Sequence, residues 1–138
     1  DERGYGSVVA KFISQALAGS PITLHGDGSQ TRCFTYVADT VAGTLLAARA
    51  TDDAPRIFNL GTERETSVRD LAELVVALTG SSSPIETVSY ESEYGEHFED
   101  APRRRPDASR ARTMLGWEPR VTLEEGLERT LSWWMARD

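Results

Sequence analysis

An α/β fold is predicted for this 138-residue chain by three features: helical stripes of apolar residues, short β-prone runs between them, and a strand-then-helix order over about 56–79. The length suits one domain able to bury a core, with 39% apolar and 27% charged residues. A net charge of −7 argues against a nucleic-acid partner held by phosphate neutralisation. No apolar run approaches the roughly 18 residues of a membrane span and no signal peptide is visible, so no membrane association is expected and the cytoplasm is the expected compartment. Cys33 is the single cysteine, which allows no internal disulfide. His25 and His97 with that one thiol form no cluster at zinc spacing, so no metal site is expected.

Taken in order, Val8, Val9, Phe12, Ile13, Ala16 and Leu17 recur at helical spacing, with Ser7 placed to cap the helix and Gly19 and Pro21 to end it. Ile22–Leu24 is a short apolar run, Gly26-Asp27-Gly28 a sharp turn, and Arg32–Val37 a second β-prone run. Arg32 therefore stands at the mouth of a glycine turn. Its planar fork of donors suits a carboxylate or a phosphate pair, so an anion site is predicted there. Val37, Val41, Leu45 and Ala48 mark a second helix running to Ala50, with Asp39 near its positive end. Arg56–Leu60 reads as a strand closed by Gly61. Ser67, with Asp70 three residues on, opens a helix that buries Val68, Leu71, Ala72, Val75 and Leu78 and stops at Gly80.

Ile85–Tyr90 is a final strand candidate. Glu91–Asp100 is acidic and aperiodic, and is expected to be a loop that is mobile or closes over a ligand. Asp107 is expected to cap a short helix ending near Leu115 and Gly116. Thr122 with Glu125 forms a capping box, and Leu123, Leu127, Leu131 and Trp134 define the inward face of the last helix.

Three ordered blocks, PITLHGDGSQTRCFTYVADTVAGTLLA, RIFNLGTERETSVRDLAELV and RRRPDASRARTMLGWEPRVTLEEGLERTLSWW, resemble the nucleotide-sugar epimerase/dehydratase family of extended short-chain dehydrogenases. The GSQTR and RRRPD strings look closest to its UDP-glucose 4-epimerase and UDP-glucuronate decarboxylase members. The resemblance implies that residues 1–138 are the C-terminal substrate-binding portion of a Rossmann-type fold. Its strand–helix unit at about 56–79 would complete the sheet of an N-terminal dinucleotide-binding half absent from the sequence. Asp1 in place of a methionine adds to the expectation of further chain upstream. The family resemblance also implies NAD as cofactor, bound by that half, a nucleotide diphosphate sugar as substrate, and a homodimeric complete enzyme.

The family's reaction proceeds by transient oxidation at sugar C4, using a tyrosine and a lysine four residues apart. Here Lys11 is the one lysine and Ser7 stands where the tyrosine would be, so no catalytic residue is expected in this chain and the segment alone is expected to be inactive. The glycine fingerprint of a dinucleotide site is missing too, because Gly26-Asp27-Gly28 continues Ser29-Gln30-Thr31 without a third glycine or an immediate helix. There is no Gly-x-Ser-x-Gly elbow either.

What the resemblance places here is substrate grip. Val8 and Val9 would wall the nucleotide base, a role compatible with plain core packing; Thr23 is a further candidate substrate contact, and His25 falls where the family usually has an aromatic stacked on the base. Arg32 matches the family's diphosphate arginine, Asn59 the asparagine at an FNLG strand end, and Arg104, with Arg103 as runner-up, a second diphosphate contact. A stand-alone, non-catalytic nucleotide-sugar-binding or interaction module is the alternative reading.

Overall fold

A computed structural model describes residues 7–51, 57–89 and 100–136 of the chain. Five helices and four strands lie among them: α1 (Val8–Leu17), β1 (Ile22–His25), β2 (Thr31–Arg32), α2 (Val37–Ala48), β3 (Thr66–Ser67), α3 (Val68–Thr79), β4 (Ile85–Val88), α4 (Ser109–Leu115) and α5 (Leu123–Met135). β1 and β4 pair in parallel, with Ile22 opposite Ile85 and His25 opposite Val88. The short β2 and β3 pair antiparallel, Thr31 opposite Ser67.

The helical periodicities have a clear physical basis in the main core. Phe12, Ile13 and Ala16 of α1, Ile22 and Leu24 of β1, Val68, Leu71, Ala72 and Val75 of α3, and Leu127 and Leu131 of α5 are buried together. Each large side chain removed from water there stabilises the fold by about 1.5–3 kcal/mol before entropy is counted. Two caps match their expectation: Ser67 Oγ accepts the Asp70 N–H at 2.9 Å, and Thr122 Oγ1 accepts the Glu125 N–H at 3.2 Å. Gly80 ends α3 in the left-handed conformation, φ +62°, which spares it the Cβ clash another residue would meet.

Other expectations change. Ser7 occupies the N-cap position of α1 but its side chain makes no capping bond. The β-prone run at Arg32–Val37 is strand only at Thr31–Arg32, because β3 is two residues long and gives it no further partner, and Val37 already belongs to α2. α2 ends at Ala48 and not at Ala50. Of the strand expected at Arg56–Leu60, Arg56 lies outside the described residues and 57–60 are irregular. An extended run becomes a strand only when a neighbour satisfies its ladder, and β1 to β4 pair elsewhere. Its Phe58 and Leu60 instead pack onto a second, smaller cluster of Ala108, Ala111 and Trp117. The last strand stops at Val88, and of the acidic loop at Glu91–Asp100 only Asp100 is described.

α2 is the element whose environment differs most from its pattern. Its apolar stripe faces solvent, with Val37 65% exposed, Val41 51% and Leu45 52%, and its buried residues are Asp39 and Gly43. Gly43 is required by close approach: a Cβ there would come within 2.7 Å of Leu60 and 2.8 Å of the Trp117 indole nitrogen. Asp39, expected to serve the helix dipole, is held by the other end of the chain. Its Oδ2 accepts the Arg120 and Val121 N–H groups at 3.0 and 2.9 Å, and its carbonyl accepts the Trp117 indole N–H at 2.8 Å. Among the described residues no helix is long and apolar enough to cross a membrane.

Candidate functional site

β2 carries Arg32 into a partly buried position where its side chain is 18% exposed. Nη1 donates to two backbone carbonyls, Thr31 O at 2.7 Å and Ala101 O at 2.9 Å. Nη2 donates to both carboxylate oxygens of Asp100, each at 2.6 Å. Arg104, four residues beyond Asp100 and 65% exposed, reaches the same Oδ1 with its own Nη2 at 3.3 Å. Two guanidinium groups far apart in sequence thus converge on one small anion. The segment that brings them together is pinned to β2 by the Thr31 N–H bonding Pro102 O at 2.9 Å and by the parallel bridge of Thr31 with Arg103.

The neighbouring arginines are committed elsewhere. Arg103 Nε donates to Glu65 Oε1 at 2.8 Å, and the same oxygen accepts the Thr31 hydroxyl at 2.7 Å. These two bonds, Arg103 first, hold the Glu65 carboxyl down to about 2 from its ordinary 4.5. Arg105 donates to the Glu63 carbonyl and carboxylate at 3.1 and 2.9 Å. Glu63 also accepts the Ala108 N–H, the bond that does most to lower its pKa. Alternation along the extended chain explains the pattern: side chains of 103 and 105 share one face and meet Glu65 and Glu63, whereas Arg104 points the other way. An open cavity of about 540 Å³ borders this strip, lined by Glu63, Arg103, Arg105, Pro106 and Asp107. Its guanidinium groups are paired with the carboxylates of the strip, where Glu63 holds Arg105 and Arg112 on separate oxygens; the Arg32–Arg104 junction differs in bringing two guanidinium groups to one oxygen.

The remaining candidates lie on other faces. Val8 and Val9 are half-buried and pack against the main core. On β1, Ile22 and Leu24 point into the core while Thr23 and His25 share the opposite, half-buried face. α1 meets that face with Gln15, which donates to Thr23 Oγ1 at 3.0 Å and accepts the Thr23 N–H at 3.2 Å, and with Lys11, whose Nζ lies 3.2 Å from His25 Nε2. Asn59 Nδ2 donates to the Asp107 carbonyl at 3.0 Å, tying the 57–60 segment to the arginine-rich one. Asp107 accepts the Ser109 N–H at 2.9 Å, just ahead of α4, whose N-cap residue is Ala108.

Asp100 and Glu65 were not singled out by sequence, although an acidic residue beside RRR and an E-x-E ahead of it were visible signals. Cys33 is no nucleophile candidate: burial, with Glu65 adding to it, pushes its thiol up. Among the described residues no group of three or more His, Cys, Asp or Glu could hold a metal ion.

The Gly26–Gly28 turn does not fit the phosphates of a dinucleotide. Gly28 packs on the Leu24 side chain, 2.5 Å from where a Cβ would stand, and Arg69 fills the turn by donating twice to the Asp27 carbonyl at 3.1 and 2.9 Å.

Residues 1–130 match the family model described as GDP-mannose 4,6 dehydratase. A UDP-N-acetyl-alpha-D-glucosaminuronate decarboxylase of Bacillus cytotoxicus is 40% identical over 129 residues, 94% of this chain and 40% of that protein. UDP-glucuronic acid decarboxylase 1 of Danio rerio is 41% identical over 128 residues, 93% of this chain and 29% of that one. Among solved structures, the UDP-glucose 4-epimerase of Thermotoga maritima, crystallised with UDP-glucose, superposes with a TM-score of 0.86 at 34% identity over 99% of this chain and 42% of its own. UDP-glucuronic acid 4-epimerase of Bacillus cereus, in complex with UDP-glucuronic acid and NAD, gives 0.83 at 26% identity, covering 96% of this chain and 40% of its own. The chain spans 40% or less of the length of these two curated relatives.

Proposed function

Because the chain belongs to the nucleotide-sugar epimerase/dehydratase family of extended short-chain dehydrogenases, an α/β, Rossmann-type family with NAD as its cofactor, we propose that it is the substrate-gripping C-terminal part of an enzyme acting on a UDP-sugar. Epimerisation or decarboxylation through oxidation at sugar C4 is the reaction class, and the redox chemistry belongs to an N-terminal NAD-binding half. The observation that carries this reading is the meeting of Arg32 and Arg104 on a single carboxylate oxygen, at 2.6 and 3.3 Å. A site that draws two guanidinium groups onto one anion has the donors that a diphosphate requires. The closer pairing of Arg103 with Glu65 and of Arg105 with Glu63, at 2.5 and 2.9 Å against 3.3 Å from Arg104 to Asp100, supports Arg104 as the second diphosphate arginine. Solvent exposure of Val37, Val41, Leu45 and Ile57 supports a chain that docks against more protein and weighs against the stand-alone module.

The test is a titration of UDP, a UDP-sugar and NAD against the complete protein and its Arg32→Ala, Arg32→Lys and Arg104→Ala variants. A hydrogen bond to a charged group contributes about 1.5–3 kcal/mol, so each alanine variant should lose roughly ten- to a hundred-fold in affinity for both uridine ligands. Lysine at 32 keeps the charge without the fork and should fall between wild type and alanine. NAD affinity should be unchanged. Full UDP affinity in both alanine variants would refute the assignment.

A further inference from the structure

We propose that Glu65 is a positioning residue for the diphosphate site: its carboxylate holds the residue that precedes each of the two arginines and so fixes Arg104 against Arg32. This inference rests on the diphosphate reading above. Glu65 Oε1 accepts the Thr31 hydroxyl at 2.7 Å and Arg103 Nε at 2.8 Å, and Oε2 accepts Arg103 Nη2 at 2.5 Å. Thr31 and Arg103 are the chain neighbours of Arg32 and Arg104. A single carboxylate, 23% exposed, therefore spans the two segments that carry the site.

Backbone pairing ties β2 to this segment only as far as Arg103: the Thr31 N–H bonds Pro102 O and Thr31 bridges Arg103, whereas residues 104–108 are irregular. Side chains take over from there. Arg103 is clasped on Glu65 before Arg104, and Arg105 on Glu63 after it, with bonds of 3.1 and 2.9 Å to the Glu63 carbonyl and carboxylate. Side chains of an extended segment alternate, so holding 103 and 105 on one face turns 104 to the other, where it reaches the same Asp100 oxygen as Arg32. The Arg103–Glu65 contact is a pair of parallel N–H···O bonds, the arrangement that most restricts how a guanidinium is oriented. Arg104 itself is 65% exposed and its bond to Asp100 is the longer one, 3.3 Å, so its place depends on its clasped neighbours. Two effects oppose each other at Glu65. Its charge repels a diphosphate through partly exposed, screened space, while its clasp sets where the Arg104 fork stands, and hydrogen bonds weaken steeply once their angle and distance are lost. The clasp is the larger effect, so removing the carboxylate weakens binding although charge alone would tighten it.

The experiment is calorimetric titration of UDP into the complete protein, comparing wild type with Glu65→Ala, Arg103→Ala, Arg104→Ala and the Glu65→Ala/Arg104→Ala double variant, with NAD affinity as the check on folding. Glu65→Ala and Arg103→Ala break the same clasp and change the local charge in opposite directions. Both should nevertheless weaken UDP by about three- to ten-fold, a part of the loss expected of Arg104→Ala. In the Arg104→Ala background, Glu65→Ala should add less than about two-fold, because its effect passes through Arg104. UDP affinity at or above wild type in either clasp variant, or a comparable loss from Glu65→Ala in both backgrounds, would overturn the positioning role; weakened Arg32→Ala and Arg104→Ala variants would then leave the diphosphate reading intact. Full affinity in those two arginine variants would sink both. Should Glu65→Ala fail to fold, Glu65→Gln decides by the same sign: it keeps an acceptor for Thr31 and gives up the charged clasp, so weaker UDP binding supports the role and unchanged or tighter binding overturns it.

Discussion

Replacing Asp39 should cost more stability than any surface-charge change, because one buried oxygen carries a joint between the two ends of the chain. Asp39 is 7% exposed, and Oδ2 accepts from both Arg120 and Val121 backbone N–H groups. Its main-chain carbonyl holds the Trp117 indole, so side chain and backbone together pin the 117–121 segment to the first turn of α2. In Asp39→Ala two backbone donors lose a charged acceptor. Each such bond is worth about 1.5–3 kcal/mol, and because the two share one oxygen and water can reach part of the loop, we expect a total near 3 kcal/mol. That is a large share of the roughly 5–15 kcal/mol by which a domain is stable. With a urea slope near 2 kcal/mol per molar, the midpoint should fall by about 1.5 M. Asp39→Asn keeps an acceptor oxygen without the charge and should lose roughly half as much. Urea denaturation of the complete protein, followed by tryptophan fluorescence and far-UV dichroism, measures both. A loss below about 1 kcal/mol for Asp39→Ala, set against that expectation, would show that the joint is replaceable by water and that the reasoning is wrong.

Two further outcomes follow. Glu65 has a folded-state pKa of about 2 against an ordinary 4.5, so the folded chain takes up its proton less readily than the unfolded one. Its stabilising contribution is therefore complete above about pH 4.5 and is lost as the pH falls towards about 2. Glu65→Gln should flatten the fall in urea midpoint across that window, and an unchanged acid limb would count against the Arg103–Glu65 contact. The exposed stripe of Val37, Val41 and Leu45 should make the 138-residue chain marginally stable or self-associating when expressed alone. Sedimentation velocity should show larger species that Val41→Lys/Leu45→Lys reduces. A monomeric wild-type chain with a cooperative melt of ordinary stability would contradict this.

The sequence by itself determined the elements whose cause is local: α1, α3 and α5 from helical spacing, the Ser67 and Thr122 caps from side chains that bond their own backbone three residues on, and the Gly26–Gly28 turn from glycine's freedom. It also marked Arg32 as a fork of donors suited to a carboxylate or a phosphate pair, and the partner it meets in the structure is the Asp100 carboxylate. Only the tertiary structure decided what depends on partners distant in sequence. Residues 57–60 carry the residues of a strand but no ladder, because ladder bonds come from a neighbour and not from the run itself. The stripe on α2 looked like a core face and lies in solvent, because periodicity gives the helix a side without saying what packs there, and Asp39 is buried because the 117–121 segment closes over it. Which carboxylate each of Arg103, Arg104 and Arg105 meets turned on alternation along their segment, and the pairing of Arg32 with Asp100 on a contact spanning 68 residues. Local pattern encodes which groups can bond; which of them meet is set by the packing that closes those long loops.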